Sequence, residues 1–321
     1  MRKLTLIILV ALIAFSCKDD KLNNKLVAGV HSWPGGGVIY IGEEKGFFKE
    51  NGIDLEIQKI ENFDTKRASL ISGNIDLDIA NTMDQALIYF DNSFKAEIIG
   101  ITDESVGGDG LVVGMGIKNV TDLKGKTIAY AEASPSDFFL RYLLNEKGIP
   151  LDSVSLKPVA DPQIAGTSFI SGSVDAAVTY EPFLSQSLSN EGSSILFSTK
   201  EYPTLIPGLI IVNGDDVALR SDIYKKFMSA WFKSVEYYKN NPEESYTIIS
   251  KGMGMDVSEV KEILKVVDIQ SKTQNIKLFD KSTNANIYEL TESIGEFWKS
   301  SGFIKSNDNL DQIINSSLIL D

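Results

Sequence analysis

Ser69-Leu70-Ile71-Ser72-Gly73-Asn74-Ile75-Asp76 and Ser168-Phe169-Ile170-Ser171-Gly172-Ser173-Val174-Asp175 carry the same pattern 99 residues apart. In each, an apolar helix end meets a small-residue stop whose glycine suits a left-handed cap. A β-branched residue and an Asp then open the next apolar run. Two further echoes keep the same order: Glu50–Leu55 with Glu146–Leu151, and Leu26-Val27-Ala28 with Thr127-Ile128-Ala129. Any two strand–helix–strand units need glycine caps in similar places, so one match alone means little. Three in order predict two similar α/β lobes.

Reading outward, Leu26–Val30 is a short buried strand, broken by Ser32-Trp33-Pro34-Gly35-Gly36-Gly37. Val38–Phe48 reads as a helix stopped at Asn51-Gly52, Asp54–Ile60 as a strand, Thr65–Ile71 as a helix and Ile75–Ala80 as a third strand. This alternation predicts mostly parallel sheets with helical crossovers. Asp122–Lys126 begins the second lobe and Pro207–Val212 is a strand leaving it. Ser221–Asp321 is mainly helical, with Phe227, Ala230, Trp231, Val235 and Tyr238 spaced as a core face on Ile223–Tyr238. Asn241-Pro242-Glu243-Glu244 is a turn and helix start, and Val257–Val267 reads as another helix. Two lobes leave a cleft, and small-molecule sites favour lobe interfaces and the carboxyl ends of parallel strands.

The 321 residues hold 31 Lys and Arg against 44 Asp and Glu, a formal charge of −13. That balance argues against a nucleic-acid partner, since phosphate backbones require a Lys/Arg surface. One Cys, Cys17, and one His, His31, exclude a disulfide framework and a Cys/His zinc site. They also leave little for nucleophilic catalysis. Asp76, Asp78 and Asp84 lack the Gly and final Glu of a calcium loop, so no metal and no cofactor is expected. Arg2, Lys3 and the apolar run Leu4–Phe15 read as a signal peptide over residues 1–16, too short for a membrane span. Cys17 follows where a signal peptidase would cut, which resembles a bacterial lipobox, although Ala14 and Phe15 depart from the usual pattern. An ordinary signal peptide with an incidental Cys is the alternative. Residues 17–25 then form a lipidated tether, and the processed chain carries about −15.

Several stretches resemble one family. Tyr40-Ile41-Gly42-Glu43-Glu44-Lys45-Gly46-Phe47-Phe48 is similar to its first helix, and Asp103-Glu104-Ser105 with Gly108-Asp109-Gly110-Leu111-Val112-Val113 to its strand into lobe two. Val120–Lys126 and Val174–Phe183, ending in Tyr180-Glu181-Pro182, resemble two later steps. The family is the NMT1/THI5-like group of ABC-importer substrate-binding proteins, which handles sulfonates, taurine, nitrate and thiamine-precursor pyrimidines. The resemblance spans residues 26–270. It implies an α/β, bilobal periplasmic-binding-protein type II fold with two crossover strands. Lobe one would hold residues 24–112 plus 211–321, and lobe two residues 113–210. It further implies a non-enzyme, a monomer that takes a small solute by hinge closure and presents it to a membrane permease. A receptor feeding a membrane sensor is one alternative. An enzyme of thiamine-type cofactor synthesis on the same fold is another, opposed by the signal segment and the scarcity of His and Cys.

The candidate ligand-binding residues sit where strands end. Trp33, Gly35 and Gly36 follow the first strand, where glycines let a ligand approach backbone N–H groups. Asn81 and Thr82 follow the third, and Tyr180 and Glu181 occupy the equivalent place 99 residues on. Glu181 also reads as a cap for the helix after Pro182. Ser134-Pro135-Ser136-Asp137 reads as an N-cap, a proline and an acid at a helix start, a capping motif or an anion site, with Ser134 and Ser136 as candidates. Asp103 and Glu104 add negative potential. Arg67, Arg141 and Arg220 fall in no cleft turn, so a bidentate oxyanion clamp is not evident. The ligand expected is neutral, zwitterionic or cationic, held by Trp33 and Tyr180. His31 reads as hydrogen-bonded scaffold. Hinge closure is expected near Leu111–Gly116 and Leu209–Asn213.

Overall fold

The computed structural model describes residues 24–202 and 204–320. Signal segment, Cys17 and most of the tether therefore lie outside the described residues. The strands are β1 (Lys25–Val30), β2 (Asp54–Lys59), β3 (Leu77–Asn81), β4 (Ala96–Ser105), β5 (Asp109–Val113), β6 (Thr127–Ala131), β7 (Ser155–Val159), β8 (Ala176–Tyr180), β9 (Ser194–Ser198), β10 (Pro207–Asn213) and β11 (Val267–Ile269). They form two sheets, ordered β11-β4-β10-β3-β1-β2 and β7-β6-β8-β5-β9. β1 runs parallel to β2 and β3, and β6 parallel to β7 and β8. β10 enters the first sheet, and β5 the second, antiparallel to their neighbours. The two sheets thus repeat one plan, β2-β1-β3-β10-β4 against β7-β6-β8-β5-β9.

The motif repeated at 99 residues has a mechanical role. Asp76 Oδ2 accepts from Val27 N at 2.7 Å and Asp175 Oδ2 from Thr127 N at 2.8 Å. Each Asp ties the start of the third strand to the start of the first in its own lobe. Gly73 and Gly172 hold the left-handed turns before them, at φ 74° and 71°. Ser134 is an N-cap as expected, and Asn62, Asp161 and Ser271 likewise each accept from a backbone N–H of the following helix.

The chain changes sheet between β4 and β5 and again between β9 and β10. Both changes come earlier than the expected 112/113 and 210/211. β5 already pairs with β8 from Asp109, and β10 with β4 from Pro207. The connections are therefore 106–108 and 199–206, not Leu111–Gly116 and Leu209–Asn213. Gly107, at φ 129°, lies in the first. Two further expectations change. The helix predicted over Val38–Phe48 breaks at left-handed Gly46, giving Val38–Glu44 and Phe47–Glu50. That predicted over Val257–Val267 stops at Ile263, and Val267 joins β11 instead. The long helix Gly214–Asn240 is broken at Arg220, whose backbone leaves helical geometry (φ −126°, ψ 33°).

The lobe-one core is built on Leu26, Ile39, Leu77, Ile98, Ile210 and Trp231, and the lobe-two core on Leu111, Ile128, Phe139, Leu143 and Val178. Phe138 links them: it belongs to lobe two but packs on Phe297 and Trp298, with ring centroids 5.5 and 5.8 Å away. Among the described residues no helix is long and apolar enough to cross a membrane.

Candidate functional site

β1, β3 and β4 all deliver their carboxyl-end residues to one place. β1 ends at Val30, and His31 and Trp33 follow before the tight turn Pro34–Gly37. Trp33 Nε1 donates to Asp103 Oδ2 at 2.7 Å, and Thr102 Oγ1 donates to Asp103 Oδ1 at 2.5 Å. Each carboxyl oxygen of Asp103 thus accepts one bond, from the indole and from the strand, and keeps a further lone pair. Two glycines make room for that carboxyl group. A Cβ on Gly35 would lie 2.2 Å from Asp103 Cγ, and one on Gly208 would lie 2.3 Å from Asp103 Oδ1. The glycine after Trp33 is required by close packing, beyond any turn preference.

Lobe two contributes Tyr180 from the end of β8, Asp109 from the start of β5, and Pro135. The Tyr180 ring meets Trp33 edge-on, with centroids 5.8 Å apart, and approaches His31 at 6.2 Å. Together with Phe63, Ala80, Thr82, Ile206 and Gly208 these residues enclose a cavity of about 20 Å³. Such a space holds a water molecule and no organic solute. The lobes are therefore shut. Asn62 Nδ2 reaches Ala160 O at 3.3 Å across their junction, and Gln186 Nε2 reaches Glu259 Oε1 at 3.3 Å.

The cavity is acidic. Burial pushes the Asp109 carboxyl up to about 7, with the charges of Asp103, Glu181 and Asp84 adding to the effect and a Ser105 hydrogen bond opposing it. Burial likewise raises Asp103 and Asp84 to about 6 each. Glu104 rises to about 6 through burial and then Asp268. None of Asp84, Asp103 and Asp109 has an ion-pair partner among the described residues. His31 goes the other way: burial, then the Lys66 charge, holds it well below the usual imidazole range. Thr82 Oγ1 lacks a hydrogen-bond partner among the described residues, as does Ser136 Oγ beside Pro135. Two non-glycine residues near the cavity, Ala80 and Ala133, hold left-handed backbone at φ 54° and 53°, a strain that functional sites commonly store.

Of the expected residues, Trp33, Thr82, Asp103 and Tyr180 line the cavity. Gly35 and Gly36 back it, packed on Asp103 and on Ala80. Asn81 does not line it. Its Nδ2 donates to Asp78 Oδ2 at 2.5 Å and its Oδ1 accepts from Thr82 N at 2.9 Å, so both ends of the amide are consumed inside lobe one. Ser134 is a helix cap, accepting from Ser136 N and donating to Ala131 O. Ser136 is buried one residue beyond the lining Pro135. The Glu181 carboxylate accepts from both N and Oγ of Ser185, at 3.1 and 2.7 Å, so it caps the helix Phe183–Ser187.

His31, Phe63 and Asp109 were not anticipated as lining residues. A signal for Asp109 exists in the sequence: an acid between Gly108 and Gly110 opens an otherwise apolar run. Among the described residues no group of three or more His, Cys, Asp or Glu side chains is arranged to hold a metal ion. Aromatic faces, buried acceptors and one imidazole suit reversible capture of a flat polar solute.

Two repeated α/β lobes, two connections between them and a cavity at their carboxyl-end edges define the bilobal type II periplasmic-binding-protein fold. Residues 33–245 match the family described as NMT1/THI5 like, and the chain belongs to that family. It is 25% identical, over 274 residues and 83% of each chain, to a Brucella abortus protein named as a binding protein. It is 26% identical over 234 residues, 71% of this chain and 70% of the other, to a Bacillus subtilis protein named for binding aliphatic sulfonates. Among solved structures, the periplasmic aliphatic sulphonate binding protein of Escherichia coli superposes with a TM-score of 0.75 at 16% identity, covering 91% of this chain and 92% of that one. The periplasmic nitrate-binding protein of Synechocystis PCC 6803 gives 0.74 at 15% identity, covering 92% and 87%. At such identities the two structures establish the fold and leave the ligand open.

Proposed function

We propose that this chain is an extracytoplasmic solute-binding lipoprotein that closes its two lobes on a small molecule and delivers it to an ABC permease. The observation that carries this reading is the contact of Trp33 from lobe one with Tyr180 from lobe two around a shut, acidic cavity. A space of about 20 Å³ admits a solute only after the lobes part. The connections 106–108 and 199–206 supply the hinge, since two short segments absorb the dihedral change of such closure. Cys17 is the lipid attachment point after removal of residues 1–16, which keeps a monomeric receptor near its permease. No chemical step is assigned. The one imidazole is held by Lys66 and its pKa is lowered by burial, and the one cysteine, Cys17, is taken up by lipid attachment.

The solute we favour is neutral or cationic. An oxyanion ligand would require cationic donors at the cavity. Arg67 is engaged by Asp64 and Gln85, Arg141 by Asp137, and Arg220 by Asp76 and Asp216. The carboxyl groups of Asp103 and Asp109 instead favour a solute that brings N–H donors or positive charge. Small-angle scattering of the purified protein at pH 8, where the solute-free lobes are expected to part, with and without pyrimidines, amines and sulfonates tests the reading. A smaller radius of gyration with a saturating solute supports it, and an unchanged radius across all of them counts against it.

A further inference from the structure

Lys66 is wholly buried; its ammonium group hydrogen-bonds to Ile79 O and His31 Nδ1 and forms an ion pair with Asp78 without a hydrogen bond to Oδ1. Its Nζ lies 2.8 Å from Asp78 Oδ1, 3.1 Å from Ile79 O and 3.1 Å from His31 Nδ1. An ammonium group has three donors and no acceptor. With Asp78 alongside to hold the charge, the Lys66–His31 hydrogen bond can only run from the ammonium group to a lone pair on His31 Nδ1. A neutral imidazole that accepts at Nδ1 carries its proton at Nε2. His31 lines the cavity, wedged between the rings of Phe63 and Tyr180, and its Nε2 has no hydrogen-bond partner among the described residues.

We propose that the buried Lys66–Asp78 pair locks His31 as a fixed Nε2–H donor, and that this donor selects solutes presenting a hydrogen-bond acceptor to the lobe-one wall. The inference rests on the solute-binding reading above and sharpens it. The cavity then reads as one donor on lobe one facing acceptor carboxyl groups at Asp103 and Asp109. Its complement is a flat ring with an acceptor atom near a donor group. Burial and the neighbouring ammonium keep the ring neutral, so the donor persists across the physiological pH range. Lys66 acts here as a positioning residue, since it sets the tautomer and makes no contact with solute.

The chain has one histidine, so the experiment is unusually clean. In ¹⁵N-labelled protein a long-range proton–nitrogen spectrum reports both nitrogens of a single imidazole. The expected result is a protonated Nε2 and an unprotonated Nδ1, unchanged from pH 5 to pH 8. The opposite assignment, or a ring that titrates in that window, overturns the lock. Lys66→Met combined with Asp78→Leu removes both buried charges together and is expected to let the proton distribute over both nitrogens.

For selectivity the probes are 4-aminopyrimidine and aniline, which differ by the ring nitrogens. The wild-type protein is expected to bind the first about tenfold more tightly, the worth of one hydrogen bond. His31→Phe is expected to erase that preference and His31→Gln to keep part of it. Equal affinity for both probes, including no measurable binding of either, overturns acceptor selection. A protein that contracts with a different solute in the scattering experiment but ignores this pair retains the binding-protein reading and loses this inference.

Discussion

Closing the cleft is expected to take up protons, with an effect large enough to measure. Asp109 lies in lobe two with Asp84 and Asp103 contributed by lobe one, and all three are buried when the lobes are shut. Burial first, then the neighbouring carboxylates, raises Asp109 from 3.8 to about 7. A carboxyl group raised in the closed state favours that state while it stays protonated. With the ordinary 3.8 taken for the parted lobes, the closed-state advantage is complete below 3.8 and is lost as pH rises through about 7. At about 1.4 kcal/mol per pH unit the full penalty for Asp109 is about 4 kcal/mol. Between pH 5 and pH 8 the linkage gives about 3 kcal/mol, roughly a hundredfold in the ratio of open to closed protein. Asp84 and Asp103 act in the same direction, although coupled groups titrate jointly and their contributions do not simply add. The assay is small-angle scattering of solute-free protein at pH 5 and pH 8 in constant salt. The radius of gyration is expected to be larger at pH 8, and Asp109→Asn to remove most of the difference. An equal radius at the two pH values, or an Asp109→Asn variant that responds like wild type, refutes the coupling.

Two further variants separate the roles of neighbouring residues. Gly35→Ala would put a methyl group against the Asp103 carboxyl, which Thr102 and Trp33 already pin. It is expected to cost about 1–3 kcal/mol in a denaturant melt and to weaken solute binding by displacing the indole. Glu181→Ala removes the cap on Ser185 and is expected to cost about 1 kcal/mol, with solute affinity unchanged in a fluorescence titration. A strong loss of affinity would return Glu181 to the binding surface.

What could be read in the sequence was whatever short-range chemistry fixes. The Gly73 and Gly172 caps with Asp76 and Asp175 announce the repeat because each acts within its own strand–helix–strand unit. The strand ends place Trp33 and Tyr180 at the cleft for the same reason. The sheet changes were misjudged because β4 and β5 form nearly one extended run. Which sheet each residue joins depends on β8 and β10, some 70 and 100 residues away. Val267 read as helical because Val260, Ile263, Leu264 and Val267 keep a helical spacing, yet Val267 pairs with Ser105. Asn81 read as a ligand contact because its partner Asp78 is hidden by the strand's own alternation. His31 read as hydrogen-bonded scaffold, and the structure also places it on the cavity wall. Its Nδ1 meets Lys66, 35 residues on, a contact only the fold reveals.

The most direct measurement is a thermal-shift screen of the purified protein and its Trp33→Ala variant against pyrimidines, amines, amino acids, nitrate and sulfonates. A solute at a hundred times its dissociation constant adds about 2.7 kcal/mol. The expected outcome is stabilisation by a neutral or cationic nitrogen-containing solute that disappears in Trp33→Ala. Stabilisation by sulfonates or nitrate alone, or a shift that survives loss of Trp33, would contradict an acidic, aromatic cleft as the solute site.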